Sequence, residues 1–151
     1  MIRVFLAGIM QGSKARKGIH RQDYRQRLQR AIEAHVPGVE VYCPWTHHQQ
    51  SVDYGDDHGK GVFLRHNRMA AEMDVLVAYL PEASMGTAVE MWEAYRHGRI
   101  VISISPMSRN WTVRYLSRAI YPDLAAFEEA AQSGELARVM ASGEQNPAGA
   151  D

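Results

Sequence analysis

The sequence has one cysteine, no net charge and no long hydrophobic run. The single cysteine, Cys43, excludes an internal disulfide and is typical of a reducing compartment, where a free cysteine is usually a small buried residue. Acidic and basic residues balance at 17 each, so the charge gives no reason to expect a nucleic acid or a membrane as partner. No apolar run approaches the roughly 20 residues of a membrane-spanning helix. A strand predicted from Ile2 leaves no room for a signal peptide, and we expect a soluble, cytoplasmic protein.

Apolar runs and turn residues divide the 151 residues into alternating strands and helices. The runs predict strands at 2–7, 39–43, 74–80 and 100–104. Helical periodicity and capping residues predict helices at 20–35, 62–73, 87–97, 110–120, 122–131 and 135–140. This alternation predicts a single-domain α/β fold, a doubly wound parallel sheet in a three-layer arrangement of the flavodoxin or Rossmann type. We expect the domain to cover residues 1–141, and the small polar residues 142–151 to be a disordered tail.

A long polar segment, residues 44–61, connects the second predicted strand to the next helix. Loops of this length inside a compact domain are usually functional or disordered. Trp45 can stack on a nucleobase, or it can be an ordinary core or interface aromatic residue. The segment is also rich in metal-ligating residue types, but their spacing matches no metal motif, so we predict a solvated substrate loop and no metal site. These residues are His47, His48, Asp53, Asp56, Asp57 and His58.

The turn after the third predicted strand carries the residues best suited to chemistry. Residues 84–90 read Ser-Met-Gly-Thr-Ala-Val-Glu, which places a carboxylate, Glu90, in the first turn of the predicted helix. Ligands bind at this edge of parallel sheets, and free N–H groups at a helix start favour phosphate. Ser84, Gly86 and Thr87 are therefore candidate phosphate contacts. The same residues also suit a turn and an N-cap, and the Thr87–Glu90 spacing is that of a capping box.

Several segments form an ordered set of motifs along the chain. They are Phe5-Leu6-Ala7-Gly8 followed by Gly12-Ser13, Asp74–Ala78, Ser84–Glu90 and Gly98–Val101. As a set they resemble the nucleoside 2-deoxyribosyltransferase-like family, which includes the nucleotide N-glycosidases. The resemblance covers about residues 2–105. It implies a flavodoxin-like fold, a homodimer or higher homo-oligomer, no metal or other cofactor, and cleavage of the bond between a sugar and a nucleobase.

The resemblance also implies roles for the matching residues. Glu90 corresponds to the nucleophilic glutamate of the family. Ser84 corresponds to a serine that contacts the 5′-phosphate in the nucleotide-hydrolysing branch, six residues before that glutamate. The loop that holds Gly8, Gly12 and Ser13 resembles the loop that faces the phosphate and the sugar.

Two positions depart from the family pattern. Phe5 stands where deoxyribose-specific members carry a tyrosine, which favours a ribonucleotide as substrate. His66 stands where the family usually has an aspartate that acts as an acid toward the leaving base. A histidine can be a general acid near neutral pH, or the change can mean that catalysis is lost or altered.

The sequence therefore predicts an enzyme that cleaves the N-glycosidic bond of a nucleoside 5′-monophosphate, by hydrolysis or by transfer, with a pyrimidine slightly favoured as the base. Such cleavage has oxocarbenium character at the anomeric carbon, which a carboxylate stabilises or captures. We assign this role to Glu90 and protonation of the base to His66, and expect Met85 near the sugar or a neighbouring subunit. Two alternatives stay open: an NAD-type glycohydrolase, and a nucleotide-binding module without turnover.

Overall fold

Five parallel strands form one sheet in the order β2-β1-β3-β4-β5. The computed structural model describes residues 1–10 and 18–144, so the predicted tail lies outside the described residues from 145 onward. The strands are β1 (Ile2–Gly8), β2 (Val39–Tyr42), β3 (Val75–Tyr79), β4 (Ile100–Ile104) and β5 (Ala119–Tyr121). Each neighbouring pair is parallel. The predicted fold class, a doubly wound α/β sheet, is confirmed.

Helices connect the strands and cover both faces of the sheet. They are α1 (Asp23–His35), α2 (Pro44–His47), α3 (Asp56–Glu72), α4 (Met85–Arg96), α5 (Trp111–Leu116), α6 (Leu124–Gln132) and α7 (Glu135–Met140), with a short 3-10 helix at Ser51–Asp53. Helices α1, α6 and α7 pack on one face, and α3, α4 and α5 pack on the other. Within residues 1–10 and 18–144, no helix is long and apolar enough to cross a membrane.

Alternation of side chains along the strands produces two separate cores. On β1, Val4 and Leu6 face the α1 side, whereas Phe5 and Ala7 face the α3 side, and all four are buried. A strand buried on both faces needs apolar residues at consecutive positions, which is why these strands read as continuous apolar runs in the sequence.

The segment predicted as a long loop is largely helical. Residues 44–61 contain α2, the 3-10 helix and the beginning of α3, which starts at Asp56 rather than at residue 62. Gly59 and Gly61 lie inside α3, and glycine lowers helix propensity by about 1 kcal/mol relative to alanine. The first turns of α3 are largely exposed, so tertiary packing does not explain them. Asp56 and Asp57 in the first turn favour a helix start, and the two glycines concealed that signal in the sequence.

A fifth strand was missing from the prediction. The helix expected over 110–120 ends at Leu116, and Ala119–Tyr121 pair with β4 as β5. A three-residue strand is too short to produce a recognisable period of two. Its edge position comes from pairing with a distant strand, which the local sequence does not record.

Candidate active site

The carboxyl ends of β1 and β3 define the expected ligand edge of the sheet. The chain leaves β1 toward β2 on one side and returns to β3 on the other, so the switch in strand order falls between β1 and β3. In open α/β sheets, ligands bind in the crevice outside the strands at such a switch point. Helix α4 begins soon after β3 ends, which brings its first turns to this edge.

Ser84 is the N-cap of α4. Its Oγ accepts a hydrogen bond from the backbone N–H of Thr87 at 3.4 Å and lies 2.9 Å from the Thr87 hydroxyl. The cap therefore pairs Ser84 with Thr87, and Glu90 lies in the second turn of the helix rather than in the first. The capping-box explanation of Glu90 is wrong, because Thr87 is not the capping residue.

The carboxyl group of Glu90 is partly buried at the edge of the sheet. The next residue of α4, Met91, is fully buried against the strands. Burial raises the pKa of Glu90 to about 7, and the positive charge of Arg25 acts in the opposite direction. A carboxyl group with this pKa exists in both protonation states near neutral pH. Strongly shifted groups in clefts are enriched at catalytic sites.

Arg25 brings a buried cation to the same edge from α1. Only 3% of the residue is exposed. Its guanidinium donates hydrogen bonds to the carbonyl oxygens of Leu6 and Gly8, each at 3.1 Å, and to Oε1 of Gln22 at 2.7 Å. Sequence reasoning missed this residue. The available signal was its position three residues before Leu28, which places an arginine on the apolar stripe of α1.

Gly8 has a packing role that requires no ligand. A Cβ atom at this position would collide with the ring and hydroxyl of Tyr24, so only glycine lets α1 approach the end of β1. The Tyr24 hydroxyl donates a hydrogen bond to the Ile9 carbonyl at 3.0 Å. The other two loop residues expected to contact substrate, Gly12 and Ser13, lie outside the described residues.

His66 lies on α3 in a largely buried position next to Phe5. It is 8% exposed, its Nε2 is 3.3 Å from the Tyr42 hydroxyl, and its ring meets the rings of Phe5 and His48 edge-on. Burial lowers the pKa of His66 to about 4, and electrostatic repulsion from His48 and Arg65 acts in the same direction. His66 is therefore neutral near pH 7 and offers a hydrogen bond rather than a positive charge.

The histidines of segment 44–61 join this group through ring contacts. His47 stacks on Tyr42 with ring centroids 4.8 Å apart, and Nδ1 of His48 is 2.9 Å from the Tyr54 hydroxyl. The Tyr54 ring in turn packs on the His58 ring, with ring centroids 4.2 Å apart. In the part of the chain that the structure describes, no three His, Cys, Asp or Glu side chains are arranged to hold a metal ion.

The remaining predicted residues divide between two locations. Met85 and Gly86 lie in the first turn of α4 beside Ser84; Met85 is 85% exposed, and the space above Gly86 is open. Phe5 is fully buried beneath Tyr42 and His66. Trp45 packs against the α1-side core and lines a cavity of about 690 Å³ that Arg25 also lines. Glu90, Ser84 and Thr87 thus share one helix, whereas Trp45 approaches from the α1 side of the sheet.

The fold is shared with enzymes that act on nucleosides and nucleotides. A 2-deoxyribosyltransferase from Bacillus psychrosaccharolyticus is similar with a TM-score of 0.61 and 17% identity, covering 83% of this chain and 90% of that one. A conserved protein from Enterococcus faecalis is similar with a TM-score of 0.63 and 19% identity, covering 88% of this chain and 98% of that one. A CMP N-glycosidase from Clostridium botulinum is similar with a TM-score of 0.51 and 20% identity, covering 87% of this chain and 98% of that one.

These likenesses confirm the fold that the family resemblance implied. At identities of 17–20% they establish the architecture alone. No protein-family model matches the sequence, and a search of curated proteins finds no significant match.

Proposed function

We propose that the protein cleaves the N-glycosidic bond of a nucleoside 5′-monophosphate, with Glu90 as the reacting carboxylate. The observation that carries this proposal is the partly buried carboxyl of Glu90, with a pKa of about 7, at the β1–β3 switch point. The structurally similar deoxyribosyltransferase and CMP N-glycosidase support a sugar–base bond as the target. The ionised fraction of Glu90 supplies the nucleophile.

In the proposed reaction, the C1′–N bond breaks and its electron pair leaves with the base. A Glu90 oxygen either forms a bond to C1′ or stabilises its positive charge, and water or a second base then takes the sugar. We assign His66 to the leaving base. Because its imidazole is neutral near pH 7, it stabilises the base by donating an N–H hydrogen bond, as a neutral histidine does in other enzymes.

The start of α4 is the proposed phosphate site. Ser84 offers its hydroxyl, and the first residues of the helix offer N–H groups that have no partner within the helix. Open space above Gly86 allows a phosphate oxygen to approach the backbone. Thr87 is 2% exposed and its hydroxyl is hydrogen-bonded to Ser84, so it stabilises the conformation of this turn and does not contact the ligand. Met85, which is 85% exposed on the same turn, borders the sugar.

Base recognition is assigned to the α1 side of the edge. Trp45 supplies an aromatic face beside the cavity that it shares with Arg25. Phe5 supports the site through its contact with His66 and provides no hydroxyl that would crowd a 2′-OH. Gly12 and Ser13 complete the proposed phosphate loop.

We also propose that the protein is a homo-oligomer that assembles through an apolar face of α4 and α5. We call this surface the α4–α5 face. It consists of Val89, Trp92, Trp111 and Tyr115, which are 39–74% exposed. The first three of these residues also line an open cavity of about 470 Å³. Monomeric proteins rarely expose contiguous apolar patches larger than a few hundred Å².

Release of free base from a panel of substrates tests the proposed activity. The panel contains ribo- and deoxyribonucleoside 5′-monophosphates, the matching nucleosides, and NAD. We expect release from at least one monophosphate, and Glu90→Gln should reduce it on the order of 10³–10⁶-fold, the scale of losing a catalytic nucleophile. Glu93→Gln is the matched control, because Glu93 lies one turn later and pairs with Arg96 at the surface.

Two other outcomes would replace the proposal. Release of nicotinamide from NAD alone would identify an NAD-type glycohydrolase. A rise in melting temperature with nucleotide, but without base release from any substrate, would identify a binding module without turnover.

A further inference from the structure

β1 extends beyond its neighbour β2 at the edge where Glu90 lies. Pairing with β2 ends at Phe5 and Tyr42, whereas pairing with β3 continues to Gly8 and Tyr79. The last three residues of β1 therefore have no strand beside them on the β2 side. Such an edge leaves backbone carbonyls without ladder partners, and buried carbonyls of this kind need other donors.

Arg25 supplies those donors. Two nitrogens of its guanidinium bind the carbonyls of Leu6 and Gly8, which point to the same side of the strand because they are two residues apart. The Nε atom is held by Gln22. The planar fork of an arginine spans two such acceptors, which the single ammonium group of a lysine cannot do. The cation is thus fixed at the end of β1 through neutral partners.

No carboxylate of the described residues neutralises this cation directly. Within the described ranges, no acidic group lies within 4.0 Å of Arg25, although the side chain is almost fully buried. Helix α4, which carries Glu90, contacts β1 from the face of the sheet opposite α1. The positive charge of Arg25 lowers the pKa of Glu90, against the larger effect of burial. A buried cation and a partly buried carboxyl therefore influence each other across the candidate site without forming a contact pair.

We propose that Arg25 is a positioning residue for Glu90: it closes the open end of β1 and holds there the positive charge that favours the ionised carboxylate. This assignment rests on the proposed function to the extent that Glu90 is the reacting group. It explains why an arginine replaces an apolar residue on the buried stripe of α1. It also explains why the guanidinium binds backbone carbonyls, since an acidic partner would cancel its effect on Glu90.

The other ionisable groups near Glu90 do not replace this charge. Tyr24 faces it from α1 and is uncharged, because burial raises the pKa of its hydroxyl. His66, on the packed helix α3, is neutral. On α4 itself, Glu93 is turned toward Arg96 and His97. Strands β1, β3 and β4 present apolar side chains beneath α4, and Arg114 of α5 lies over the Tyr115 ring.

Titration of the Glu90 carboxyl by ¹³C NMR, assigned through Glu90→Gln, tests the proposal directly. In Arg25→Gln the midpoint should rise by about one pH unit, the scale expected for losing an opposite charge near a carboxyl group. Arg27→Gln is the matched control, because Arg27 lies on the same helix but pairs with Glu128. In this variant the titration midpoint of Glu90 should equal that of the wild type. Arg25→Met, neutral and of similar length, takes the place of Arg25→Gln if the latter does not fold.

An unchanged midpoint in the neutral, folded variant would overturn the proposal, as would an equal rise in Arg27→Gln. If base release is observed, the acid limb of its pH profile should move upward with the NMR midpoint. If no substrate releases base, the proposed function fails, but the NMR midpoint still decides the role of Arg25.

Discussion

The two helical layers that cover the sheet differ in the kind of side chain they bury. The layer of α1, α6 and α7 buries large apolar groups such as Leu28, Ile32 and Phe127, and a two-contact ion pair, Arg27–Glu128, joins α1 to α6. The layer of α3 and α4 buries small or flexible residues and several polar groups in their place. These are Ala70, Ala94, Met91, His66 and Thr87, with Glu90 partly buried at the edge.

This difference separates the layer that stabilises the fold from the layer of the proposed chemistry. Burying large apolar side chains stabilises the fold, whereas burying a carboxyl group or an imidazole costs free energy. A protein retains such unfavourable groups where they serve a function, which is a reason to assign the proposed chemistry to the α3–α4 layer. Arg25 is the exception on the α1 side, and its guanidinium binds the backbone at the end of β1.

The largest expected effect is a loss of stability in the α1–α6–α7 layer. Phe127→Ala removes a fully buried ring and should lower the free energy of unfolding by about 3–5 kcal/mol. Urea denaturation measures this loss, and the Glu90 titration midpoint should stay unchanged in the folded variant. Met91→Ala, in the other layer and next to Glu90, should cost about 2–4 kcal/mol and also shift that midpoint. A shifted midpoint in Phe127→Ala would contradict the separation.

The second prediction concerns the stability cost of Glu90. Its pKa is raised from 4.5 to about 7 in the folded state, so the unfolded chain releases this proton first as the pH rises. The wild type should therefore lose stability between pH 4.5 and 7, and Glu90→Gln should not. At pH 8 we expect the variant to be more stable by about 2–3 kcal/mol, and at pH 4 the two should be equal. If the wild type and Glu90→Gln are equally stable at both pH 4 and pH 8, burial of the Glu90 carboxyl has no free-energy cost and the prediction is wrong.

Much of the fold was predictable because local patterns and tertiary burial agree. The boundaries of β4 and α7 matched the expectation, since an apolar run and a helical stripe end at clear turn residues. The fifth strand and the start of α3 were not predictable. Pairing with β4 decides the fifth strand. The start of α3 is exposed, and the acidic residues of its first turn favour the helix although two glycines lower its propensity.

The candidate site was predictable only in part. The position of Glu90 after β3 follows from the strand-to-helix turn. Its raised pKa does not, because it comes from burial. The hydrogen bonds of Arg25 do not either, because they depend on how far β1 extends past β2. The neutral state of His66 likewise follows from its contacts with Phe5 and His48. No periodicity along the chain records such contacts between distant segments.

The third prediction concerns the opposite pH dependence of His66. Its pKa falls from 6.5 to about 4 on folding, so the unfolded chain takes up this proton first as the pH drops. Stability should therefore be lost between pH 6.5 and 4, by about 1–2 kcal/mol after allowance for relaxation. His66→Phe should remove this dependence in thermal denaturation at several pH values. His66→Asn, polar but without charge, separates the lost titration from added apolar packing. A pH dependence unchanged in both variants would contradict the buried, neutral state.

The smallest effect on monomer stability is expected at the α4–α5 face, where apolar side chains are exposed instead of buried. Trp111 is 74% exposed, so Trp111→Ser should change the free energy of unfolding by less than about 0.5 kcal/mol at low protein concentration. If a second copy covers this face, the variant should sediment as a smaller species than the wild type. The wild type alone should also gain stability as its concentration rises. Phe63→Ser is the control, because Phe63 is an exposed aromatic residue of α3 outside the face. A wild type that sediments as a monomer at every concentration would contradict the proposed assembly through the α4–α5 face. The two layers would then differ only in the ionisable groups that they bury.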